Sequence, residues 1–370
     1  MSKPFPLGKL PADVLARLLE QFKPADPRVL VGPGLGLDAA VMEMGDRLLV
    51  AKSDPITFAA DAIGWYAVQV NANDLATTGA TPRWFLATVL LPKSRADAAL
   101  AGDILRQIYT ACAALGASLV GGHTEITYGL ERPIVAGFML GEVERRRLVT
   151  ASGAQPGDVV IVTKGIAIEG TAIIARERGL AGFDDDFLKR CRRFLTEPGI
   201  SVVRDAALAL DAGGVGYNDV GHVAARGPSA LPNANAVHAM HDPTEGGLAT
   251  GLVELAQAAG VGLVIEERAV PVYAETRALC QALDLDPWGL IASGALLMAV
   301  EAACAENIAR ALEAQGIRAA VIGRVTEQAG QVLLRDSVTG SLRPVPHFER
   351  DEIARLFESV AERLELCGGC

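Results

Sequence analysis

The chain has 370 residues, of which half are apolar and 21% are charged, and its formal net charge is −10. Nucleic-acid binding normally depends on clustered Lys and Arg side chains, so this acidic balance argues against a DNA or RNA partner. The length exceeds what one hydrophobic core usually organises and predicts two domains. The apolar composition predicts that a partner covers part of the surface, most simply a second copy of the chain.

The sequence has no pattern of a secretory signal peptide and no uninterrupted apolar run of about 18 residues. We therefore expect a cytoplasmic protein without a membrane segment.

Two kinds of cysteine are present. Four stand singly in apolar or helical stretches and are predicted to be buried free thiols: Cys112, Cys191, Cys280 and Cys304. Cys367 and Cys370 instead form a C-x-x-C pair in the sequence Cys367-Gly-Gly-Cys370. Such a pair is compatible with a disulfide or metal site, with Cys370 as an acyl or carbamoyl carrier, or with no function.

The N-terminal part of the chain mixes strand and helix patterns. Helical spacing of apolar residues covers 10–22, 57–78 and 96–115, and short strands are predicted at 28–31, 39–44, 47–52, 83–91, 118–121 and 133–143. We therefore predict a first domain of α+β type over residues 1–150.

A turn at 153–157 opens directly into the apolar run 159–163 and marks the start of a second α/β domain, predicted over 153–345. Helices are predicted at 170–177, 187–195, 200–212, 247–259 and 304–315, and strands at 262–266, 295–300, 319–325 and 332–335. Residues 346–370 are predicted to hold a last helix, 350–364, followed by a tail that carries the C-x-x-C pair.

Acidic turns dispersed along the chain are the most informative chemical feature. Each places an Asp near Gly, Asn or Pro, and the four residues are Asp38, Asp54, Asp74 and Asp242. Carboxylates offered from separate strand ends and loops suit Mg²⁺, which is usually shared between a few protein carboxylates and substrate phosphates. For Asp74, in an otherwise apolar segment, an N-cap or a Lys or Arg partner is the alternative to a cation.

Two glycine-rich segments are candidates for phosphate contacts. Gly34 and Gly36 precede Asp38 and could let backbone N–H groups approach an anion, although glycine-rich turns between strands are also common. Neither a Walker A loop nor a dinucleotide fingerprint is present. The segment Gly121-Gly-His-Thr-Glu125 is predicted as a polar turn after a four-residue strand, with His123 alternatively a structural histidine.

These motifs together resemble the aminoimidazole ribonucleotide (AIR) synthase superfamily. The ordered series is Gly-x-Asp-Ala-Ala-Val, Ser-Asp, Asn-Asp-Leu-Ala-x-x-Gly-Ala-x-Pro, Gly-Gly-His-Thr, Pro-Gly-Asp-x-x-x-x-Thr-Lys and Asp-Pro-Thr-x-Gly-Gly-Leu, over residues 28–345. The superfamily includes selenophosphate synthetase, thiamine-monophosphate kinase and the hydrogenase-maturation carbamoyl dehydratase. The resemblance implies a two-domain α+β fold.

The resemblance also implies ATP and Mg²⁺ as cofactors, and a homodimer that forms through strands of the first domain, with the ATP sites near the interface. It implies that the four aspartates hold Mg²⁺. It further implies supporting roles in nucleotide binding, proton transfer and phosphate contact for Asn73, Gly121, Gly122, His123, Glu125 and Lys164.

The segment Met240-His-Asp-Pro-Thr-Glu-Gly-Gly-Leu-Ala249 is similar to the corresponding segment of the hydrogenase-maturation members, in which a terminal Cys receives a carbamoyl group. That similarity implies that Cys370 accepts a carbamoyl group and that a maturation partner protein exists. The chain departs from the pattern at Glu245, where those members have Arg, at His123-Thr-Glu125 and in the tail. A small-molecule kinase and a non-catalytic nucleotide-binding scaffold are the alternative functions.

Overall fold

The structure is a computed structural model and describes residues 5, 8–19, 21, 24–57, 59, 61–177, 182–214 and 235–358. Two β-sheets, each covered by helices, organise these residues. The elements of the first part of the chain, in order, are α1 (Ala12–Leu19), β1 (Val29–Val31), β2 (Ala40–Met44), β3 (Arg47–Ile56), α2 (Ile63–Ala76), β4 (Thr81–Pro92), α3 (Ala98–Leu115), β5 (Ser118–Thr127) and β6 (Ile134–Val143).

The first sheet has the strand order β1-β2-β3-β6-β4-β5. Its pairs are antiparallel except for β4 and β5, which run parallel because α3 connects them. Strand β5 lies at the edge of the sheet, and nearly all of its side chains are exposed. The free edge therefore leaves a row of backbone groups without a neighbouring strand among the described residues.

Helix α2 is buried on all sides, since every residue from Tyr66 to Ala76 is buried. An all-round buried helix is normally apolar throughout. This one nevertheless carries Asn71, Asn73 and Asp74, whose polar groups must find partners in the interior.

The second sheet has the strand order β13-β12-β9-β11-β7-β10-β8 and is antiparallel apart from the β12–β9 pair. Its elements, in chain order, are β7 (Val159–Thr163), α4 (Ile168–Glu177), α5 (Asp185–Arg193), α6 (Val203–Ala212), β8 (Val237–His241), α7 (Gly247–Ala259), β9 (Gly262–Glu266), α8 (Ala274–Leu283), β10 (Leu297–Val300), α9 (Ala305–Glu313), β11 (Ala319–Thr326), β12 (Val332–Arg335), β13 (Leu342–Pro344) and α10 (352–358).

One hydrophobic core spans both halves of the chain. It joins residues of the first sheet and α2, such as Ile63 and Phe85, to residues of α4 and the chain around Ile200. Two further cores lie on either face of the second sheet. The α+β fold predicted from the sequence is confirmed.

The strand and helix bounds differ from the predicted ones at several functional positions. Strand β3 continues through Asp54 to Ile56, because β6 pairs with it over this whole length. The predicted turn 121–125 is wrong, since these residues lie within β5 and pair in register with β4. Helix α8 and strand β8 were not predicted.

In the part of the chain that the structure describes, the helices are too short or too polar to cross a bilayer.

Candidate functional site

The four aspartates converge from a strand, a helix and two loops that belong to both domains. Asp54 lies on β3 and Asp74 on α2, while Asp38 precedes β2 and Asp242 directly follows β8. Each of these carboxylates acts electrostatically on the ammonium group of Lys52. The structure therefore brings together, around one lysine, the residues that the sequence singled out as a Mg²⁺ site.

Lys52 is the first residue of the site that the sequence analysis missed. Its Nζ atom lies 3.1 Å from Asp74 Oδ1 and 3.9 Å from Asp54 Oδ2. Burial disfavours the ammonium ion, but the four carboxylates together, with Asp74 and Asp54 acting most strongly, outweigh burial and raise the pKa of Lys52 above its ordinary value. The signal in the sequence was its position in Lys52-Ser-Asp54, since residues two apart on a strand point to the same face.

Asp242 is the most deeply buried carboxyl group of the four. Its side chain is 1% exposed, and neither carboxylate oxygen has a hydrogen-bond partner among the described residues. Burial and the nearby carboxylates of Asp74 and Asp38 raise its pKa well above the ordinary range, although His241 and Lys52 oppose this. One carboxylate oxygen of Asp74, Oδ2, also lacks a partner.

His241 lies between two carboxylates. Its Nδ1 atom is 2.9 Å from Asp38 Oδ1, and its Nε2 atom is 3.0 Å from Glu254 Oε2 on α7. Burial lowers the pKa of His241, but Asp38 and Glu254 outweigh burial and raise it well above 6.5. We therefore interpret His241 as a fixed imidazolium that ties β8 to the loop before β2.

Lys9 extends this network to the N-terminal segment. Its Nζ atom is 3.4 Å from Glu254 Oε1 and 3.3 Å from Thr244 Oγ1, and its backbone N–H donates to Glu245 Oε2 at 3.1 Å. The cations of Lys9 and His241 both contact Glu254 and hold its pKa at about 2 despite burial. No sequence pattern predicted Lys9, because its partners lie more than 230 residues away.

The donor set fits a hard divalent cation. Ligand atoms of Asp38, His241 and Asp242 lie within 4.8 Å of one another, and the orphan oxygens of Asp242 and Asp74 are buried carboxylate oxygens. Mg²⁺ prefers such oxygen ligands. Since both ring nitrogens of His241 already contact carboxylates, the aspartates rather than the imidazole are the suitable ligands.

The glycines before Asp38 pack closely against other parts of the chain. Gly36 has a φ of +66°, and a Cβ atom there would come within 2.8 Å of the backbone oxygen of Glu254. A side chain at this position would therefore push the Asp38 loop away from α7. At Gly34, a Cβ atom would meet only the end of the flexible Leu37 side chain, at 2.7 Å, so this position is less restricted than Gly36.

The residues on β5 do not join the aspartates within one chain. His123 and Glu125 are exposed, and their side chains contact each other at 3.4 Å. Strand β5 is three strands away from β3, or about 14 Å across the sheet. Gly122 is required by strand pairing, since a Cβ atom there would lie 2.1 Å from the backbone oxygen of Ala87.

Asn73 and Lys164 both contact the segment between α5 and α6 and the start of α6. The Asn73 amide donates to the oxygen of Ile200 and accepts from the N–H of Val202, both at 2.8 Å. Lys164 Nζ donates to Ser201 O at 2.6 Å and lies 3.1 Å from Asp205 Oδ1. Both side chains are buried, and these contacts attach the segment between α5 and α6 to the rest of the protein.

The three cysteines Cys112, Cys191 and Cys280 are buried free thiols, as predicted, whereas Cys304 is only partly buried. Burial raises the pKa values of the first three thiols to between about 11 and about 12, which makes them poor nucleophiles. Cys367 and Cys370 lie outside the described residues.

Asp351 connects the Asp242 loop to the start of α10. Its Oδ2 atom accepts the N–H of Gly246 at 2.7 Å, and its Oδ1 atom accepts the N–H of Ile353 at 2.8 Å. The described chain thus reaches the loop that carries Asp242 shortly before it ends at residue 358.

A cavity adjoins the aspartates between the two sheets. Asp54 and Val70 of the first domain line one side, and Glu169, Glu245 and Ser293 of the second line the other. Glu169 is 3% exposed, and its Oε2 atom has no hydrogen-bond partner in the described chain. Burial raises its pKa to about 7, although Ser293 lowers it.

Replacing Glu169 with Gln is expected to reduce the pH dependence of stability. A carboxyl group with a raised pKa in the folded state binds its proton more tightly there than in the unfolded chain, so its contribution to stability is lost as the pH rises to about 7. As the pH rises from 6 to 8, ionisation of Glu169 should lower the free energy of unfolding by about 1 kcal/mol. Urea denaturation of both proteins at the two pH values measures this, and parallel pH profiles would contradict the assignment.

Comparisons with known proteins agree with this architecture. The family models described as AIR synthase related protein, N-terminal domain and C-terminal domain match residues 36–143 and 155–335. A carbamoyl dehydratase HypE from Rhodobacter capsulatus is 33% identical over 313 residues, which cover 82% of this chain and 83% of the relative.

Two solved structures share the fold. A hydrogenase maturation protein HypE in complex with ATP has a TM-score of 0.68 at 24% identity, and the match covers 88% of this chain and 92% of that one. A HypE–HypF complex has a TM-score of 0.66 at 21% identity, covering 84% and 93%.

Proposed function

Because the chain belongs to the AIR synthase related family, we propose that it is an ATP- and Mg²⁺-dependent enzyme that activates the oxygen of an amide or carbamoyl group by phosphorylation. The observation that carries this proposal is the group of four aspartates, in which Asp242 is buried with both carboxylate oxygens unpartnered. Buried carboxylates without partners are costly unless the functional state supplies a cation.

The chain's own residues have separable roles in this proposal. Asp38, Asp54, Asp74 and Asp242 would hold Mg²⁺, whose charge would neutralise the triphosphate and stabilise charge at the transferred phosphoryl group. Among the described residues, Lys52 is the one ammonium group that contacts two of these aspartates, and it would keep them in place. His241 fixes Asp38 from the other side through its contact at 2.9 Å.

The glycines and the residues on β5 are proposed to complete the nucleotide site. Gly34 and Gly36 precede Asp38 and would form the turn near the phosphates. Gly121, Gly122, His123 and Glu125 would act from the β5 strand of a second copy, because within one chain they are three strands away from Asp54. This assignment makes the homodimer part of the active site.

The free edge of β5 supports such a dimer. Val120 and Ile126 on this strand are 52% and 60% exposed, and the next residue after the strand, Tyr128, is 89% exposed. Exposed apolar groups along an unpaired edge are typical of a surface that pairs with another chain.

Replacing both Val120 and Ile126 with Lys should convert a dimer to a monomer. Each change occurs twice in the interface and replaces an apolar contact with repelling charges, so we expect the dissociation constant to rise by about a hundredfold or more. Sedimentation equilibrium measures this. Val338→Lys, at a position 71% exposed on the other domain, is the matched control, and a wild-type chain that is monomeric at all concentrations would contradict the proposal.

We further propose that the activated group is a carbamoyl group on Cys370 and that a maturation partner protein supplies it. Phosphorylation of the carbamoyl oxygen, followed by loss of that oxygen as inorganic phosphate and of the nitrogen's protons, would leave a thiocyanate on sulfur. Cys370 follows residue 358 by twelve residues, which span at most about 40 Å when extended. The helix that ends at residue 358 starts next to the Asp242 loop, where Asp351 contacts Gly246.

Replacing Cys370 with Ala is expected to abolish the ATP hydrolysis that a carbamoyl donor system stimulates, since the acceptor thiol is then missing. Phosphate release, together with mass spectrometry of the C-terminal peptide for a cyano group, measures this, and Cys304→Ala is the matched control. Donor-independent turnover that survives in Cys370→Ala would indicate a small-molecule kinase instead, and nucleotide binding without turnover would indicate a scaffold.

A further inference from the structure

A second cavity lies beside the parallel strand pair of the second sheet. Strands β9 and β12 run parallel, and the chain continues from β9 into a helical turn at Glu267–Ala269 and from β12 into the hairpin turn before β13. Residues of both turns line the cavity, which therefore lies beyond the carboxyl ends of the two strands. Ligands of open parallel sheets bind in crevices at this position. The cavity has a volume of about 320 Å³, which is within the usual size range of small-molecule sites.

The two carboxylates that line this cavity are satisfied within the protein. Glu267 Oε1 accepts a hydrogen bond from Arg343 at 2.7 Å. Asp336 Oδ1 accepts the N–H groups of Thr339 and Val338 at 2.7 and 2.9 Å, and these bonds hold the pKa of Asp336 below its ordinary value. Neither carboxylate therefore needs a cation from a ligand.

Arg268 and Arg277, by contrast, line the cavity without such partners. Arg268 belongs to the turn after β9 and Arg277 to α8. In the part of the chain that the structure describes, neither guanidinium group forms a hydrogen bond or an ion pair. Arg268 acts on Asp336 only electrostatically, and Glu275, the acidic residue of α8, is held by Arg190 at 3.2 Å. The cavity thus offers two guanidinium groups that no described carboxylate occupies.

The remaining wall is apolar and already ordered. It is formed by Val270, Val272, Pro287 and Trp288. Val270 and Trp288 are 3% and 9% exposed and belong to a hydrophobic core of the second domain. The backbone oxygen of Trp288 also accepts the N–H of Ala249 at 3.0 Å, which attaches this residue to α7. A ligand with an apolar body would therefore pack against a fixed surface, and this lowers the entropic cost of binding.

The charges of the cavity distinguish between anions. A guanidinium group binds a planar carboxylate through two parallel hydrogen bonds. A phosphate dianion would bring a second negative charge close to Glu267 and Asp336, which line the same cavity. The lining therefore favours an anion that is planar and carries a single charge.

We propose that this cavity is a binding site for a small aromatic carboxylate, whose carboxylate group contacts Arg268 and Arg277 and whose ring packs against the wall that contains Trp288. The site is separate from the proposed reaction, because it shares no lining residue with the cavity beside Asp54. Its ligand is neither the nucleotide nor the acceptor, and the inference does not depend on the proposed function.

The test is a ligand-observed NMR titration of the full chain, at about pH 8, with benzoate, benzamide, acetate and phenylphosphonate. Benzoate should bind with a Kd of about 1 mM or below, which suits a fragment of its size in a well-matched site. Benzamide lacks the charge, acetate lacks the ring and phenylphosphonate carries a second charge. Each of these three should therefore bind at least about tenfold more weakly than benzoate.

Arg268→Gln and Arg277→Gln should each weaken benzoate binding by about tenfold or more, since each change removes a charged hydrogen-bond donor. Neither change should alter the binding of benzamide. Both residues are exposed, so both variants are expected to fold. Arg310→Gln, at an exposed position of α9 in the same domain, is the matched control.

The indole N–H resonances locate the bound ligand, because the chain has three tryptophans. Benzoate should shift the resonance of Trp288, assigned by its loss in Trp288→Phe, and should leave those of Trp65 and Trp84 unchanged. Saturating Mg-ATP should not displace benzoate. Each of the following would overturn the proposal: no binding of benzoate, equal affinity for any other probe, no shift at Trp288, displacement by ATP, or unchanged affinity in both arginine variants.

Discussion

Replacing Asp242 with Asn is expected to reduce Mg²⁺-dependent ATP turnover by about a hundredfold or more and to stabilise the nucleotide-free protein. The loss follows because a carboxylate ligand that stabilises transition-state charge contributes several kcal/mol to the barrier. The gain in stability follows because Asn has nearly the same shape and removes a buried charge that Asp74 and Asp38 repel. Phosphate release under saturating ATP and thermal unfolding without Mg²⁺ measure the two effects.

The control for this variant is Asp103→Asn on the surface of α3, where the carboxylate contacts Arg106 and Gln107 in solvent. It should change neither quantity appreciably. Unchanged turnover in Asp242→Asn would contradict the proposed Mg²⁺ site. Lost turnover together with a lower unfolding temperature would indicate a purely structural role for Asp242.

Replacing Lys52 with Met is expected to destabilise the protein by about 3–5 kcal/mol, because the change leaves the buried carboxylate of Asp74 without its ion-pair partner. The loss should be larger at pH 8 than at pH 6. Without Lys52 the pKa of Asp74 rises further. At pH 6 the carboxyl group is then protonated and neutral, so its burial costs little, whereas at pH 8 more of it is ionised and its burial costs more. Urea denaturation at both pH values measures this.

Mg²⁺ should restore part of the stability of Lys52→Met, since a bound cation takes over the role of the ammonium group. The matched control is Lys189→Met, which breaks a surface ion pair with Asp186 and should cost less than about 1 kcal/mol. Equal costs for the two variants would mean that the aspartates do not depend on Lys52. No effect of Mg²⁺ on Lys52→Met would argue against a cation site.

The family and the fold class could be predicted from sequence because both depend on ordered local motifs. Helix α2 shows how far such reasoning extends. The sequence marks Asp74 as unusual for an apolar segment, and it leaves open whether a cation, an N-cap or a Lys or Arg partner accounts for this residue. The structure supplies the basic partner, Lys52, on a neighbouring strand. The sequence alone could not identify this partner, because tertiary packing determines which residues of β3 contact α2.

The other site residues were missed for the same reason. His241 and Asp38 are 203 positions apart, and their contact depends on how the second domain packs on the first. The β5 segment was assigned to a turn because two glycines usually interrupt a strand. Here Gly122 allows β5 to approach β4 closely. The local preference of glycine for turns is therefore overridden by the close pairing of the two strands. Mg²⁺ binding, the dimer and the role of Cys370 stay predictions.

The two hydrogen bonds of Asp351 have a consequence for local unfolding. One carboxylate satisfies both the N–H of Gly246, at the start of α7, and the N–H of Ile353, in the first turn of α10. If α10 detaches, Gly246 loses its only described acceptor, so the loop that carries Asp242 and the C-terminal helix should open together as one cooperative unit. In hydrogen exchange, the amides of Gly246 and Ile353 would then report the same opening free energy, and a ligand that orders the loop would slow exchange at both.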